Sequence, residues 1–490
     1  MSRTRTFLAF DLGATSGRAI LGHYGEDSIT IKEVHRFPND PVRYTGELHW
    51  DAPRLWLEMR RALQAVSRYT DRLDGIGVDA WGVDYALLGE HGTLLENPYH
   101  YRDARTEGVM EQVFQRVPRQ TVYNETGVQF MEFNTLFQLS AAMQRTPRLL
   151  EHAQSLVTMP DLFHYWLTGV AVCEYTVAST TQMLSHKTKA WASDLLRQLG
   201  LPTHLLCPIV APGTPLGKLI PELAASPALA AATVIAPACH DTGSAVAAVH
   251  GGSGTAFLSS GTWSLLGMEV PQPIVTPEAH ELNFTNEGGV GNTIRLLKNI
   301  TGLWLLEGCR KAWQSAGETW SHEQLIAAAA GATPLQHLID PDAADFVRPA
   351  SMPEAIRGVC ARTGQPSPAT PGAYARAVME SLALKYRLVL EQLESITGNR
   401  IEQIRMIGGG SQNALLNQFT ADATDRRVLA GPAEATALGN IAVQIVGTGV
   451  VGSFAAARDV LARSFPAATF EPKPDKAWDE AYQLFQHICR

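Results

Sequence analysis

The stretch "AFDLGATSGRAIL" (residues 9–21) runs apolar, meets an acid at Asp11, passes through a small glycine- and hydroxyl-bearing loop, and turns apolar again. Two readings fit these residues. One is an ordinary β-hairpin. The other is a strand-end carboxylate beside a loop small enough to admit phosphate and a hydrated metal ion. A second stretch of the same form, "GTAFLSSGTWSLLGMEV" (254–270), opens the second half of the chain. Two such hairpins point to a duplicated fold with a ligand clasped between the copies. The 490 residues exceed what one hydrophobic core usually serves, which also predicts two domains.

Composition narrows the function classes. The chain is 45% hydrophobic and 18% charged, with a formal charge of −8 and a pI near 6.0. Phosphate-backbone binding needs a basic face, so no nucleic-acid partner is expected. The six cysteines are scattered without paired spacing, which argues against a disulfide framework or a zinc site. The opening "MSRTRTFLAFDLG" reads as a strand rather than a signal peptide, and no stretch is apolar enough to span a bilayer. A soluble, cytoplasmic protein with no membrane partner is expected; the oligomeric state is not legible.

Hydrophobic spacing supplies the elements. A helix is predicted over 53–69, with Leu55, Met59, Leu63 and Val66 on its apolar face and Pro53 in its first turn. "DGIGVDAWGVDYALLGEHG" reads as two short strands forming a hairpin around Asp79-Ala80-Trp81-Gly82. Residues 135–170 look helical and end at Gly169, a C-terminal cap. The proline-rich 208–232 region reads as a long connection followed by a short helix. A long helix is predicted over 372–396, with Tyr374, Val378, Leu382, Tyr386, Val389 and Leu393 in its stripe and Gly398 ending it. Another is expected from an N-cap at Ser411, with Leu415, Leu416 and Phe419 inward. Trp478, Tyr482 and Phe485 make one face of a terminal helix.

Three segments carry chemistry. "GGGSQN" (408–413) follows a strand and opens a helix; it is either a nucleotide contact or a tight strand–helix turn. No dinucleotide G-x-G-x-x-G and no P-loop occurs. "LSSGTW" (258–263) offers hydroxyls and backbone N–H groups that can hold phosphate without lysine, or it is a plain hairpin. In "ACHDTGSA" (238–245), Asp241 leaves a strand and enters a small-residue helix. A carboxylate there can accept a hydroxyl proton during phosphoryl transfer, can cap the helix, or can bind metal with His240.

The order of these segments resembles the actin-like ATPase fold. Over nearly its whole length the chain is similar to the FGGY family of carbohydrate kinases. The matching residues are "DLGATSGR" (11–18), "VDAWGVDYALL" (78–88), "YRDARTEG" (101–108), "GVQFMEFNTLFQL" (127–139), "MPDLFHYWLTG" (159–169), "HDT" (240–242), "LSSGTWSLLG" (258–267), "NEGG" with "LLKNITGLWLLE" (286–307) and "IGGGSQNALLNQ" (407–418). The resemblance implies an α/β protein of two ribonuclease-H-like domains around a central cleft. It implies an N-terminal domain over 1–245, a nucleotide-binding C-terminal domain over 246–455, and a docking segment over 456–490. The activity implied is ATP- and Mg²⁺-dependent phosphorylation of a ketose at O1, with L-rhamnulose as the leading substrate. L-fuculose or xylulose is the alternative, and a non-metabolic actin-like ATPase is a further one. By the same resemblance Asp241 is the base, and Gly82, His240, Asp241, Thr242 and Asn299 meet the sugar. Ala14, Thr15, Ser16, Gly17, Arg18, Thr262, Glu307 and Gly409 meet ATP, and Asp11 meets the metal. Trp81, Phe130 and Phe133 are aromatic candidates for a wall against the sugar's methyl group. Cys239 stands where the family pattern has serine, and Glu307 where it has an amide.

Overall fold

The computed structural model describes residues 4–489. The chain forms two compact units, each built from three segments: 1–250, 269–296 and 435–465 in the first, and 251–268, 297–434 and 466–490 in the second.

The first unit is organised on a six-stranded sheet. Its order is Thr214–Lys218, Thr233–Ala236, Gly75–Ala80, Arg5–Leu12, Ser16–Gly25, Ser28–Pro38. Arg5–Leu12 pairs antiparallel with Ser16–Gly25 and parallel with Gly75–Ala80. Phe7 to Leu12 are all buried, as expected of a central strand covered on both faces. The opening stretch is thus a hairpin with its acid at the strand end.

The helix Ala435–Gly447 lies on this sheet, and glycines make room for it. A Cβ at Gly22 would stand 2.7 Å from Ile441, and one at Gly77 would stand 2.5 Å from Asn440 Oδ1. The space released at Gly77 admits a polar ladder. Gln444 Nε2 donates to Leu8 O and to Asn440 Oδ1, and Asn440 donates onward to Asp79.

The second unit repeats the strand order of the first. The second sheet has seven strands, Thr285–Gly288, Ile294–Thr301, Trp263–Val270, Thr255–Ser260, Gln403–Ile407, Arg427–Ala430 and Ala468–Phe470, of which the last six repeat that order and Thr285–Gly288 is an added edge strand. A hairpin again supplies the centre, with parallel strands added beside it. The predicted long helix spans Pro371–Thr397, its six stripe residues are buried, and Gly398 caps it at φ 65°. In the helix Lys476–Ile488, Trp478 packs on Phe419 with ring centroids 5.6 Å apart, and Tyr482 donates to Glu391.

Several local expectations are corrected. Gly75–Ala80 and Tyr85–Leu88 are not a hairpin: the first joins the central sheet, the second pairs with Ser155–Thr158. Residues 135–170 form three helices, Thr135–Arg145, Pro147–His152 and Met159–Thr168: the first ends at Thr146 before Pro147, and that strand separates the second from the third. The end of the 208–232 region is a run of turns, not a helix. Ser411 sits in a short 3₁₀ turn, and Asn413 is the cap of Ala414–Thr424, its side chain accepting from Leu416 N–H. Leu416 and Phe419 point inward there, whereas Leu415 is only half-buried.

Candidate active site

The strand ends of the first unit gather its acids. The registers place Asp11 opposite Arg18 on one side and opposite Asp79 on the other. A bridge from Ala80 to His240 brings in the segment that carries Asp241. Arg18 Nη2 donates to Asp11 Oδ2 at 2.5 Å. Asp79 is fully buried; Asn440 Nδ2 donates to its Oδ2 at 2.6 Å, while its Oδ1 has no hydrogen-bond partner. Burial pushes the Asp79 carboxyl well up, the Asp11 carboxylate adds to this, and the Asn440 hydrogen bond opposes it. Of these acids Asp11 is paired with the Arg18 guanidinium, while Asp79 is sealed behind it.

The loop Ala14, Thr15, Ser16 follows at the tip of the hairpin. Asn39 holds it, donating from Nδ2 to Gly13 O at 2.8 Å and from its backbone to Thr15 O. Gly17 must be glycine, since a Cβ there would meet the Phe37 ring at 2.2 Å.

The His240–Asp241 corner is pinned from behind. Glu174 Oε2 accepts from Cys239 N–H at 2.9 Å, and Thr176 Oγ1 accepts from His240 N–H at 3.2 Å. Glu174 is fully buried, and burial raises its carboxyl to about 7. Asp241 begins the helix Asp241–Ala247, and its Oδ1 accepts from the N–H and hydroxyl of Thr242. Its side chain is 31% exposed, so the carboxylate is braced yet open to a substrate. His240 Nε2 lies 3.5 Å from Asp241 Oδ1, and on the other side of the ring Nδ1 lies 3.3 Å from Glu287 Oε2 and 3.2 Å from Arg295 Nη2. The capping reading of Asp241 does not hold: His240 is the cap position and makes no side-chain cap bond, while Asp241 is the first residue of the helix and bonds only its neighbour Thr242 through Oδ1.

Gly82 lies in the turn after Asp79, where a Cβ would crowd Thr180 Oγ1 at 2.9 Å. Beside it Asp84 is buried under four donors: the indoles of Trp50 and Trp81 at 2.6 and 2.9 Å, Gln138 Nε2 at 2.7 Å and Tyr101 N–H at 3.2 Å. Burial nevertheless raises its carboxyl to about 6. Trp81 is therefore held by its N–H and packed on Trp50 at 4.0 Å. Phe130 lies in a buried aromatic cluster with Phe114 and Tyr123, and Phe133 tilts against Tyr101.

Thr262, Asn299, Glu307 and Gly409 belong to the second unit. The carbonyls of Gly261 and Thr262 accept from Leu303 N–H and Gly302 N–H, which ties the "LSSGTW" turn to the chain after Asn299. The glycine triplet presses on the same turn: a Cβ at Gly410 would stand 2.1 Å from Ser260 Oγ, and Gly408 adopts φ 79°. Gly409 is exposed. Glu307 pairs with Arg310 on its own helix at 2.6 Å.

Asp161, His164 and Cys239 form a buried cluster compact enough to suggest a metal. Val78 N–H donates to His164 Nε2 at 3.2 Å, which puts the imidazole proton on Nδ1, facing Asp161 and the Cys239 thiol. A protonated nitrogen donates rather than ligates, so the cluster reads as a hydrogen-bonded support for residue 239.

Sequence reasoning singled out Asp11, Arg18, His240 and Asp241, which the fold brings together, but missed Asp79, Glu174, Glu287, Arg295 and Asn440. The one available signal was acids inside apolar runs, as in "GVDAWGVD".

The FGGY N-terminal carbohydrate-kinase domain model matches residues 6–248, and the C-terminal one matches 256–448. A rhamnulokinase of Bacteroides thetaiotaomicron is 46% identical over 99% of this chain and 100% of its own. One of Pectobacterium carotovorum is 42% identical over 99% and 97%. Among solved structures, a gluconate kinase from Lactobacillus acidophilus superposes with a TM-score of 0.81 at 17% identity, covering 99% of this chain and 97% of its own.

Proposed function

The chain belongs to the FGGY family of carbohydrate kinases, and from this premise we propose that it transfers the γ-phosphoryl group of ATP to the 1-hydroxyl of L-rhamnulose, in L-rhamnose catabolism. The chemical observation that carries the reading is the open carboxylate of Asp241 at a strand-to-helix corner, in the same unit as the Asp11–Arg18–Asp79 cluster. The choice of ketose rests on relatives of that name over the full chain.

Phosphoryl transfer asks the protein for positioning and charge stabilisation more than covalent chemistry. Asp241 takes the proton of the attacking hydroxyl. His240 and Thr242 flank it and, with Gly82 and Asn299, orient the sugar. Backbone groups of Ala14 to Gly17, the Arg18 guanidinium, Thr262 and Gly409 receive the nucleotide; Glu307 is available from the second unit through the carboxylate that also holds Arg310. Asp11 would hold Mg²⁺, which would supply neutralisation of phosphate charge when bound. A cytoplasmic location fits this reading: all six cysteines are free thiols, and among the described residues no helix is long and apolar enough to cross a membrane.

A coupled ADP-release assay across L-rhamnulose, L-fuculose and D-xylulose tests the proposal. L-rhamnulose should give the highest kcat/KM, and ADP should not accumulate without a ketose. A higher value for L-fuculose or D-xylulose would leave only the family-level activity.

A further inference from the structure

Resting on this reading, we infer that the buried Glu287–Arg295 pair positions His240 by choosing which of its ring nitrogens carries the proton. Arg295 is fully buried. Its Nε donates to Gly288 O at 2.8 Å, its Nη1 lies 3.1 Å from Glu287 Oε2, and its Nη2 lies 3.2 Å from His240 Nδ1. Guanidinium only donates, so an Arg295–His240 hydrogen bond requires an unprotonated Nδ1. Glu287 Oε2, 3.3 Å from the same nitrogen, makes the opposite demand, because a carboxylate only accepts. Two buried groups of opposite charge thus compete for one nitrogen. We assign the nitrogen to the guanidinium: Arg295 Nη2 approaches it at 3.2 Å in hydrogen-bonding geometry, whereas Glu287 Oε2, 3.3 Å away, is engaged by Arg295 Nη1 at 3.1 Å as its counter-ion. A buried guanidinium needs such a counter-ion, which explains why the competing acid is retained.

The consequence falls on Asp241. With Nδ1 occupied, the single imidazole proton sits on Nε2, the nitrogen that faces Asp241 Oδ1. A neutral ring that offers one N–H orients the carboxylate without forming a full ion pair with it. An imidazolium in the same place would stabilise the carboxylate and weaken it as a proton acceptor. Arg295 and Glu287 touch neither the phosphoryl group nor the attacking hydroxyl in this scheme; they act through His240.

The test reads the tautomer directly. Protein labelled with ¹⁵N-histidine is compared with the His240→Gln variant, so that the difference spectrum isolates the His240 ring. In the wild type, Nε2 should be protonated and Nδ1 bare at neutral pH. Arg295→Met should move the proton to Nδ1, where Glu287 accepts it, while Glu287→Gln should leave it on Nε2. In parallel, kcat of Arg295→Met should fall about 10- to 100-fold, the scale of a misplaced catalytic contact, with the ketose KM changed only a few-fold. Arg295→Lys, which keeps a cationic donor, should recover part of the loss. A wild-type ring protonated on Nδ1, or on both nitrogens, overturns the inference, as does an unchanged tautomer in Arg295→Met. Should that variant not fold, the wild-type spectrum alone decides. If the wild type phosphorylates no ketose, the functional reading fails while the spectrum still judges the tautomer.

Discussion

Asp241 and Asp79 are two acids of one cluster with opposite exposure, and exposure separates their work. Asp241 is 31% exposed and can meet a substrate; Asp79 is sealed and holds structure through Asn440. Asp241→Asn keeps size and the acceptor that meets Thr242 but cannot take a proton, so kcat should fall by about 10²- to 10⁴-fold with the fold intact. Steady-state kinetics beside circular dichroism checks this; turnover within a few-fold of wild type would remove Asp241 from the role. Asp84 gives a second residue-scale prediction. Burial raises its folded-state value from 3.8 to about 6, so the folded chain binds this proton more tightly than the unfolded chain. The associated stability is complete below pH ~3.8 and is lost as pH rises through about 6, a change of about 3 kcal/mol for roughly two units. Denaturant titrations of wild type and Asp84→Asn should therefore diverge by about that amount between pH 4 and 7, the wild type losing ground. Parallel curves would mean that the four donors hold Asp84 ionised throughout.

Elements position these residues through very close backbone contacts. The helices Asp241–Ala247 and Ala435–Gly447 meet at Gly439, where a Cβ would stand 1.7 Å from Ser244 O and 2.6 Å from its carbonyl carbon. A backbone neighbour cannot swing aside as a side chain can. Gly439→Ala should therefore cost about 1–3 kcal/mol or more and shift the helix that begins at Asp241. Its activity loss should exceed what its stability loss explains, measured below the melting transition. Gly358 is the contrasting case. It sits inside the helix Met352–Arg362 with nothing within 4 Å of its would-be Cβ. Gly358→Ala should raise stability by about 1 kcal/mol, the helix-propensity difference, and leave kcat unchanged. A loss of stability there would show that the site is more crowded than its geometry indicates.

At the scale of the whole molecule, the same strand order occurs in both units, but the chemistry is not duplicated. The first hairpin carries Asp11 and Arg18, while the second carries Ser260 and Thr262 in the equivalent turn. The first unit is acidic and oxygen-rich at its strand ends; the second offers a turn backed by glycines. This asymmetry predicts separable ligand effects. Thr262→Ala and Gly409→Val should weaken ATP binding with ketose affinity within a few-fold, and His240→Ala should do the reverse. Isothermal titration of each ligand tests this, and equal losses for both ligands in all three variants would contradict it.

Reading the sequence established what depends on near neighbours. The opening hairpin with its strand-end acid, the strand-to-helix corner at His240–Asp241, the buried stripe of Pro371–Thr397 and the Gly398 cap all follow from spacing, propensity and local turn chemistry. The hydrophobic pattern of 135–170 was read as helix throughout because the pairing that makes Ser155–Thr158 a strand lies with Tyr85–Leu88, far away in sequence. The "DAWGVD" hairpin failed for the same reason: Gly75–Ala80 finds its partners on Arg5–Leu12 and Thr233–Ala236. Tertiary structure alone decided which acids are sealed and which are open. Asp79 meets Asn440 from a helix that arrives 361 residues later, and His240 meets Glu287 and Arg295 from a later hairpin. Burial and long-range pairing set charge state and tautomer, and neither is written in the order of adjacent residues; both exist only once distant segments have displaced water from between them.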